Sequence, residues 1–384
     1  MRFNQFAGKA ARLLTVLAAA AAFAVTSGVN PAHAVGAAPR AAPEFNGGVY
    51  AVAYRGSTVF VGGSFTRAVS GGNTYVRQRL AAFDARTGTL LSWAPSADST
   101  VRALAIEGTT VYAAGDFHYL SGWRRDAVAS LDASSGAVGP FSHTVTGTPY
   151  ALVITGSRIY LGGRFDSVDG ARRANLAAFS LAGGRLDSDW RPAADDAVHS
   201  MTAYGARIYA GGLFESVNDV VGSRHVVAIS AVGGAVNHAF LPQPEYVVDG
   251  IAVDNTGVYV ATGGQGGRAI AYTVAGAMRW QRVFDGDAVA VAVLDGIVYV
   301  GGHFDHACLT VVNGAHGLCA EGSVPRVKLA AVTAGGVLTG WAPQANGVIG
   351  VRVLGVDRSR GVIAAGGDFT MMGSQVRRRF ASFG

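Results

Sequence analysis

The chain has 384 residues, half of them hydrophobic and only 15% charged, with 54 glycines, 11 prolines and a formal net charge of +6. Three of the basic residues, Arg2, Lys9 and Arg12, lie in the first twelve positions with no acidic residue among them, so the remainder carries about +3, too little to argue for a nucleic-acid partner. Basic residues are nearly all arginine, Lys9 and Lys328 being the only lysines, and they are scattered along the chain.

Residues 1–34 read as a secretory signal peptide. They have a basic start, an apolar run from Leu13 to Val25, and a small-x-small site at Ala32-His33-Ala34. The run is too short to span a membrane, and no longer one follows. The expectation is a soluble, secreted, extracellular protein without a membrane span, with one domain over 35–384.

From there one phrase recurs about every fifty residues: Val-Phe-Val-Gly-Gly-Ser-Phe at 59–65, Val-Tyr-Ala-Ala-Gly-Asp-Phe at 111–117 and Ile-Tyr-Leu-Gly-Gly-Arg-Phe at 159–165. It returns at 208–214, 298–304 and 363–369, with a worn copy, Val-Tyr-Val-Ala-Thr-Gly-Gly, at 258–264. Such a period marks a repeat fold. The third copy divides into four short segments between turn signals: A at 150–154, B at 159–162, C at 176–179 and D at 185–190, the last stopped by Pro192. Four-stranded units with two apolar faces bury both only by stacking around an axis. The predicted fold class is therefore all-β, a seven-bladed β-propeller of four-stranded blades.

Strand D carries an aromatic residue in six copies: Trp93, Phe141, Trp190, Phe240, Trp280 and Trp341. Proline follows two residues later at Pro95, Pro192, Pro242 and Pro343. Arginine precedes strand C at Arg77, Arg125, Arg173, Arg326 and Arg377. A residue demanded at one place in every repeat is expected to pack between blades or bond a carbonyl. The paired glycines are expected to let backbones approach closely. The last copy has no strand D, whereas Ala42-Pro43-Glu44-Phe45-Asn46-Gly47 matches the junction Ala342-Pro343-Gln344-Ala345-Asn346-Gly347. The last blade is thus expected to be closed by the N-terminal strand, from about Val35 to Ala42.

The phrase Val-Tyr-Val-Gly-Gly-x-Phe, with Leu-Ala-Ala-Phe-Asp at 80–84, Thr-Gly at 87–88 and Trp-x-Pro at 93–95, resembles the delta-60-type repeat of secreted bacterial, especially actinobacterial, β-propellers. The resemblance covers 41–384 and implies the fold. It carries no catalytic residues.

Function is expected on the face that bears the long B–C loops, because loops on a rigid scaffold carry binding. The longest, 305–325, holds the only cysteines, Cys308 and Cys319. In an exported chain these point to a disulfide. Copy five has almost no B–C loop, only Gln265 to Arg268, which predicts a notch in the rim. Asp285 and Asp287 would floor that notch, beside His303, Asp305 and His306. Tyr119 and Trp123, aromatic residues outside the repeat pattern, are the competing candidates, suited to stacking on sugar rings. His303, Asp305 and His306 could ligate a metal, but near-consecutive residues rarely converge on one ion, so neither metal nor cofactor is expected. No nucleophile-elbow, zincin or paired-carboxylate motif is present. The leading expectation is a monomeric, non-catalytic binding or scaffolding propeller with an extracellular glycan or protein ligand. The competing one is an extracellular polysaccharide hydrolase or lyase.

Overall fold

The structure is a computed structural model that describes residues 33–384, so all but the last two residues of the expected signal peptide lie outside the described residues. Apart from one 3-10 turn, all regular structure there is β. Seven antiparallel sheets follow in chain order, each with strands A, B and C, such as Val49–Arg55, Thr58–Gly63 and Leu80–Asp84 in blade one. The A strands of blades two to seven lie in Val101–Glu107, Val138–Thr155, Val198–Tyr204, Val248–Asp254, Ala288–Leu294 and Val351–Asp357. Each packs against the A strand of the next blade, and that of blade seven packs against Val49–Arg55. The chain is a closed seven-bladed β-propeller.

No single core fills this ring. The buried apolar side chains fall into seven clusters, each shared by two neighbouring blades, for example Tyr160 and Trp190 of blade three with Val227 and Ile229 of blade four. The first glycine of the pair sets the distance across five of the seams, alanine standing there in blades two and five as Ala114 and Ala261. A Cβ on Gly162 would lie 2.8 Å from Val198 Cγ1 and 2.9 Å from Met201 Sδ of the next blade, and one on Gly62 would lie 2.6 Å from Val101 Cγ1. The second glycine faces its own blade, where a Cβ on Gly163 would strike the Thr148 carbonyl oxygen.

Strand D is weaker than expected. In blades one, three, four and six it is reduced to one bridge, as Phe179 to Leu186, and two bonds to strand C, as Ser180 N–H to Arg185 O and Asp187 N–H to Ala178 O, each at 2.8 Å. Proline after the aromatic ends it early, since proline donates nothing to a ladder. Where that proline is replaced, by His143 in blade two and Arg282 in blade five, strand D is regular, within Val138–Thr155 and as Met278–Val283. The N-terminal segment occupies the same place in blade seven with one such bond, Arg40 N–H to Ser382 O at 2.8 Å. It forms no regular strand, because Pro39 and Pro43 bracket it. Val35 N–H donates to the Tyr299 hydroxyl, and Arg378 pairs with Glu44.

The recurring arginines clamp strand D. Arg173 is buried and donates to the carbonyls of Arg172 and Asp187. Arg77, Arg125 and Arg326 donate likewise to Leu91, Gly139 and Thr339. The contact lies within one blade rather than between two.

Two outcomes follow. Gly162→Ala should cost about 1–3 kcal/mol in urea unfolding, and Gly163→Ala should cost more, because its clash is with backbone; equal or negligible losses would contradict the seam geometry. Deleting residues 35–46 should lower the thermal midpoint of the whole domain, and an unchanged midpoint would remove the N-terminal segment from the closure.

Candidate functional site

The crossovers from D to A carry a device repeated in five blades. The side-chain oxygen of Asn46, Asp98, Asp195, Asp285 or Asn346 accepts two consecutive backbone N–H groups just after the phenylalanine that follows the glycine pair. In Asp195 the two bonds are split between Oδ1 and Oδ2. Asp285 Oδ1 takes those of Asp305 and His306 at 2.8 Å each, and its Oδ2 lies 2.7 Å from His306 Nδ1. Burial alone would raise this carboxyl. The backbone N–H and ring of His306, with the Asp305 N–H, outweigh it and hold the pKa below the usual carboxylate range. Asp285 is thus fully engaged in holding its loop.

The neighbouring candidates are engaged in similar ways. Asp305 is the counter-ion of Lys328, 2.7 Å from a buried Nζ that also donates to the His303 carbonyl at 2.8 Å. Asp287 Oδ1 accepts the Gly264 N–H at 3.1 Å. The His303 side chain is exposed at the rim. Among the described residues, no three His, Cys, Asp or Glu side chains converge closely enough to hold a metal ion.

The expected notch at blade five is occupied. Cys308 and Cys319 form a disulfide with Cα atoms 5.1 Å apart, and the loop it pins leans over the short blade-five turn. Arg268 stacks on Tyr246 at 4.4 Å and donates to Asn313 Oδ1 at 3.3 Å, while a Cβ on Gly317 would lie 2.7 Å from Gly266 N. Tyr119 and Trp123 lie apart, three blades round the ring from blade six. They sit in the blade-two hairpin of Tyr119–Leu120 and Trp123–Arg124, 51% and 62% exposed.

Convergence occurs instead at the central channel, where one repeat position of strand A brings together Tyr50, Arg102, Tyr150, His199, Asp249, Val289 and Arg352, around a cavity of about 270 Å³. Six of the seven are polar or aromatic, although the residues just before them are mostly valines that fill the seams. Arg102 lies over the Tyr150 ring at 5.4 Å and Arg352 over Tyr50 at 5.5 Å. Tyr150 meets His199 edge to face, and His199 Nδ1 lies 2.7 Å from Asp249 Oδ1.

The residue between the glycine pair and phenylalanine forms a second tier: Asp116 binds Arg102 through two bonds of 2.7 and 2.8 Å, and Asp368 pairs with Arg352. Burial alone would lower the pKa of Arg102, and Asp116 more than offsets it, so the guanidinium is held firmly charged. Nη1 of Arg102 and both Nη atoms of Arg352 have no acceptor among the described residues. On the far side Asp249 and Asp287 flank Gly263, whose Cβ would lie 3.6 Å from Asp249 Oδ2 and 3.2 Å from Asp287 Oδ1. Sequence reasoning missed this ring. The available signal was a polar residue in an otherwise valine-rich strand A, at the same offset in six copies.

Comparison with solved structures agrees on the class. The chain is similar to the WD40 β-propeller domain of Doa1, with TM-score 0.58 and 10% identity over 90% of this chain and 96% of that one. It is also similar to the RRP9 WD40 repeats, with TM-score 0.57 and 12% identity over 91% and 98%. A computationally designed protein, Ika8, matches with TM-score 0.50 and 14% identity over 88% and 98%. No protein-family model matches the chain, and no curated protein matches it in sequence. The class is thus the β-propeller, with WD40-like relatives in fold.

The crossover device yields a test. Asp285→Asn should cost less than Asp285→Ala, since asparagine accepts the same two N–H groups in blades one and seven but lacks the charge and the oxygen that faces His306 Nδ1, whereas Asp285→Ala should cost about 1–2 kcal/mol by also leaving two N–H groups unpaired. The lowered carboxyl contributes stability above its unfolded pKa that is lost as pH falls through the folded value. The Asp285→Ala deficit should therefore shrink in acid. A deficit that is constant with pH would mean that the carboxylate charge contributes nothing.

Proposed function

We propose that the protein is a secreted, non-catalytic binding propeller that takes an extracellular glycan on the B–C face, over the mouth of its central channel. The observation that carries this reading is the ring of strand-A side chains. Arginine N–H groups without acceptors, two tyrosine rings and a His–Asp pair surround a cavity large enough for one sugar-sized part of a ligand. The charges are already paired and the arginines braced on tyrosines, an arrangement that is ordered before binding and loses little side-chain freedom on it. The disulfide agrees with an oxidising compartment. Among the described residues no helix is long and apolar enough to cross a membrane.

A second reading has its own support. Asp249 and Asp287, from neighbouring blades, flank Gly263, and glycoside hydrolysis uses two carboxyl groups that flank the scissile bond.

One screen separates the two. The purified protein is offered a panel of extracellular and cell-wall glycans, read for binding and for product. Binding without product, weakened at least about tenfold by Tyr50→Ala with Tyr150→Ala and untouched by Tyr119→Ala with Trp123→Ala, supports the proposal. Loss of binding in the second pair alone would move the site to blade two. Product that disappears in Asp249→Asn while binding persists would make the protein an enzyme.

A further inference from the structure

Four of the seven seams are filled by an indole from strand D: Trp93 between blades one and two, Trp190 between three and four, Trp280 between five and six, and Trp341 between six and seven. Each packs against an aromatic of its own strand B, namely Phe60, Tyr160, Tyr259 and Tyr299. Three of them donate Nε1–H to a carbonyl of the next blade, at Asp132, Ser230 and Ala334. The remaining seams have Phe141, Phe240 and Ala41 at this place. Each of those three carries a cleft, of about 560, 270 and 440 Å³ respectively.

The largest, between blades two and three, is the one with chemistry in its wall. Phe141 lies on Gly184, whose Cβ would be 3.1 Å from its ring, just as Trp93 lies on Gly136. The phenyl ring is smaller than the indole and has no N–H to reach across. Two residues on, where five other copies have proline, stands His143. Its ring lies on Phe179 at 4.4 Å and against Phe141 at 4.8 Å, and its Nδ1 is 2.6 Å from Asp169 Oδ2. Asp169 is itself fixed by the Thr144 N–H at 2.9 Å. The imidazole is only 10% exposed, and its Nε2 has no partner among the described residues. The same holds for the hydroxyl of Tyr112, which lines the same cleft. An imidazole anchored through one nitrogen presents the other to whatever fills the space.

We propose that this seam is a binding site for a small planar aromatic molecule bearing an N–H or hydroxyl group, of the size of an indole or a phenol. It occupies the cleft left open beside Phe141, whose ring is smaller than the indole of four other seams, and it hydrogen-bonds to His143 Nε2. The site lies away from the channel mouth and stands whether or not a glycan binds there.

The probe is indole, titrated into the whole exported chain and followed by ligand-observed NMR and calorimetry, with benzene as the matched ring lacking a polar group. Indole should bind saturably and more tightly than benzene. Phe141→Trp, which installs the residue of the four filled seams, should weaken indole at least about tenfold, while Phe240→Trp should leave it unchanged. Should Phe141→Trp fail to fold, His143→Phe carries the test, since it keeps the ring stack and should erase the preference for indole over benzene. Absence of saturable indole binding, equal affinity for indole and benzene, or loss of binding in Phe240→Trp would overturn the proposal.

Discussion

Everything in this molecule depends on how closely one blade can approach the next. The valines of strand A, at 101, 198, 248 and 351, press into the place where the preceding blade has a glycine instead of a side chain, and Val49 does the same against Gly366. A methyl group at any of these points would push two sheets apart, and in a closed ring of seven the displacement has nowhere to go. The seams, not the sheets, are the units of burial, so a blade alone would expose both faces. This is why a chain of short strands, several with a fourth strand reduced to one bridge, can still bury its apolar faces in a closed ring.

Once the seams fix the blades, the loops are held by local hydrogen bonds rather than by packing. In five blades the crossover Asp or Asn ties the start of the B–C loop to the strand that enters the sheet, and in four the arginine before strand C ties the loop's end to strand D. The first device consumes its polar groups in full, whereas in the second the Nε of Arg77, Arg125, Arg173 and Arg326 is left buried without a partner. A carboxylate such as Asp285, which accepts two N–H groups and an imidazole, has little left to offer a ligand. At the strand-A ring the second residue of the strand is free to vary, because it faces the channel rather than a seam.

That division explains what could be read from the sequence. The tyrosine, the glycine pair, phenylalanine and tryptophan recur because the seams require them, so blade number and ring order were legible from periodicity. Asp285 drew notice as an acid beside histidines, and only its equivalence to Asn46, Asp98, Asp195 and Asn346 reveals it as a latch. Tyr50, Arg102, Tyr150, His199, Asp249 and Arg352 were not legible as a group, since they share a position and not a residue type. The loop from 305 to 325 is the longest of the B–C loops, and its extra residues have no counterpart in the other copies. No periodicity could have told that Asn313 and Gly317 would settle over the short turn of blade five and close the expected notch.

The channel mouth is also asymmetric in a way that bears on any ligand. Blades seven, one, two and three contribute Arg352, Tyr50, Arg102 and Tyr150, an aromatic and cationic arc. Blades four to six contribute His199, Asp249 and Val289, with the Asp287 carboxylate across Gly263 from Asp249, an arc rich in carboxylate. Because Asp116 and Asp368 brace the two arginines from below, the first arc presents oriented N–H donors more than net charge, whereas Asp249 and Asp287 face each other across a glycine with acceptor capacity to spare. A ligand spanning the mouth must therefore offer acceptors and a ring face on one side and donors on the other. Polyhydroxylated rings satisfy this in one orientation, while a simple anion or cation satisfies only half of it.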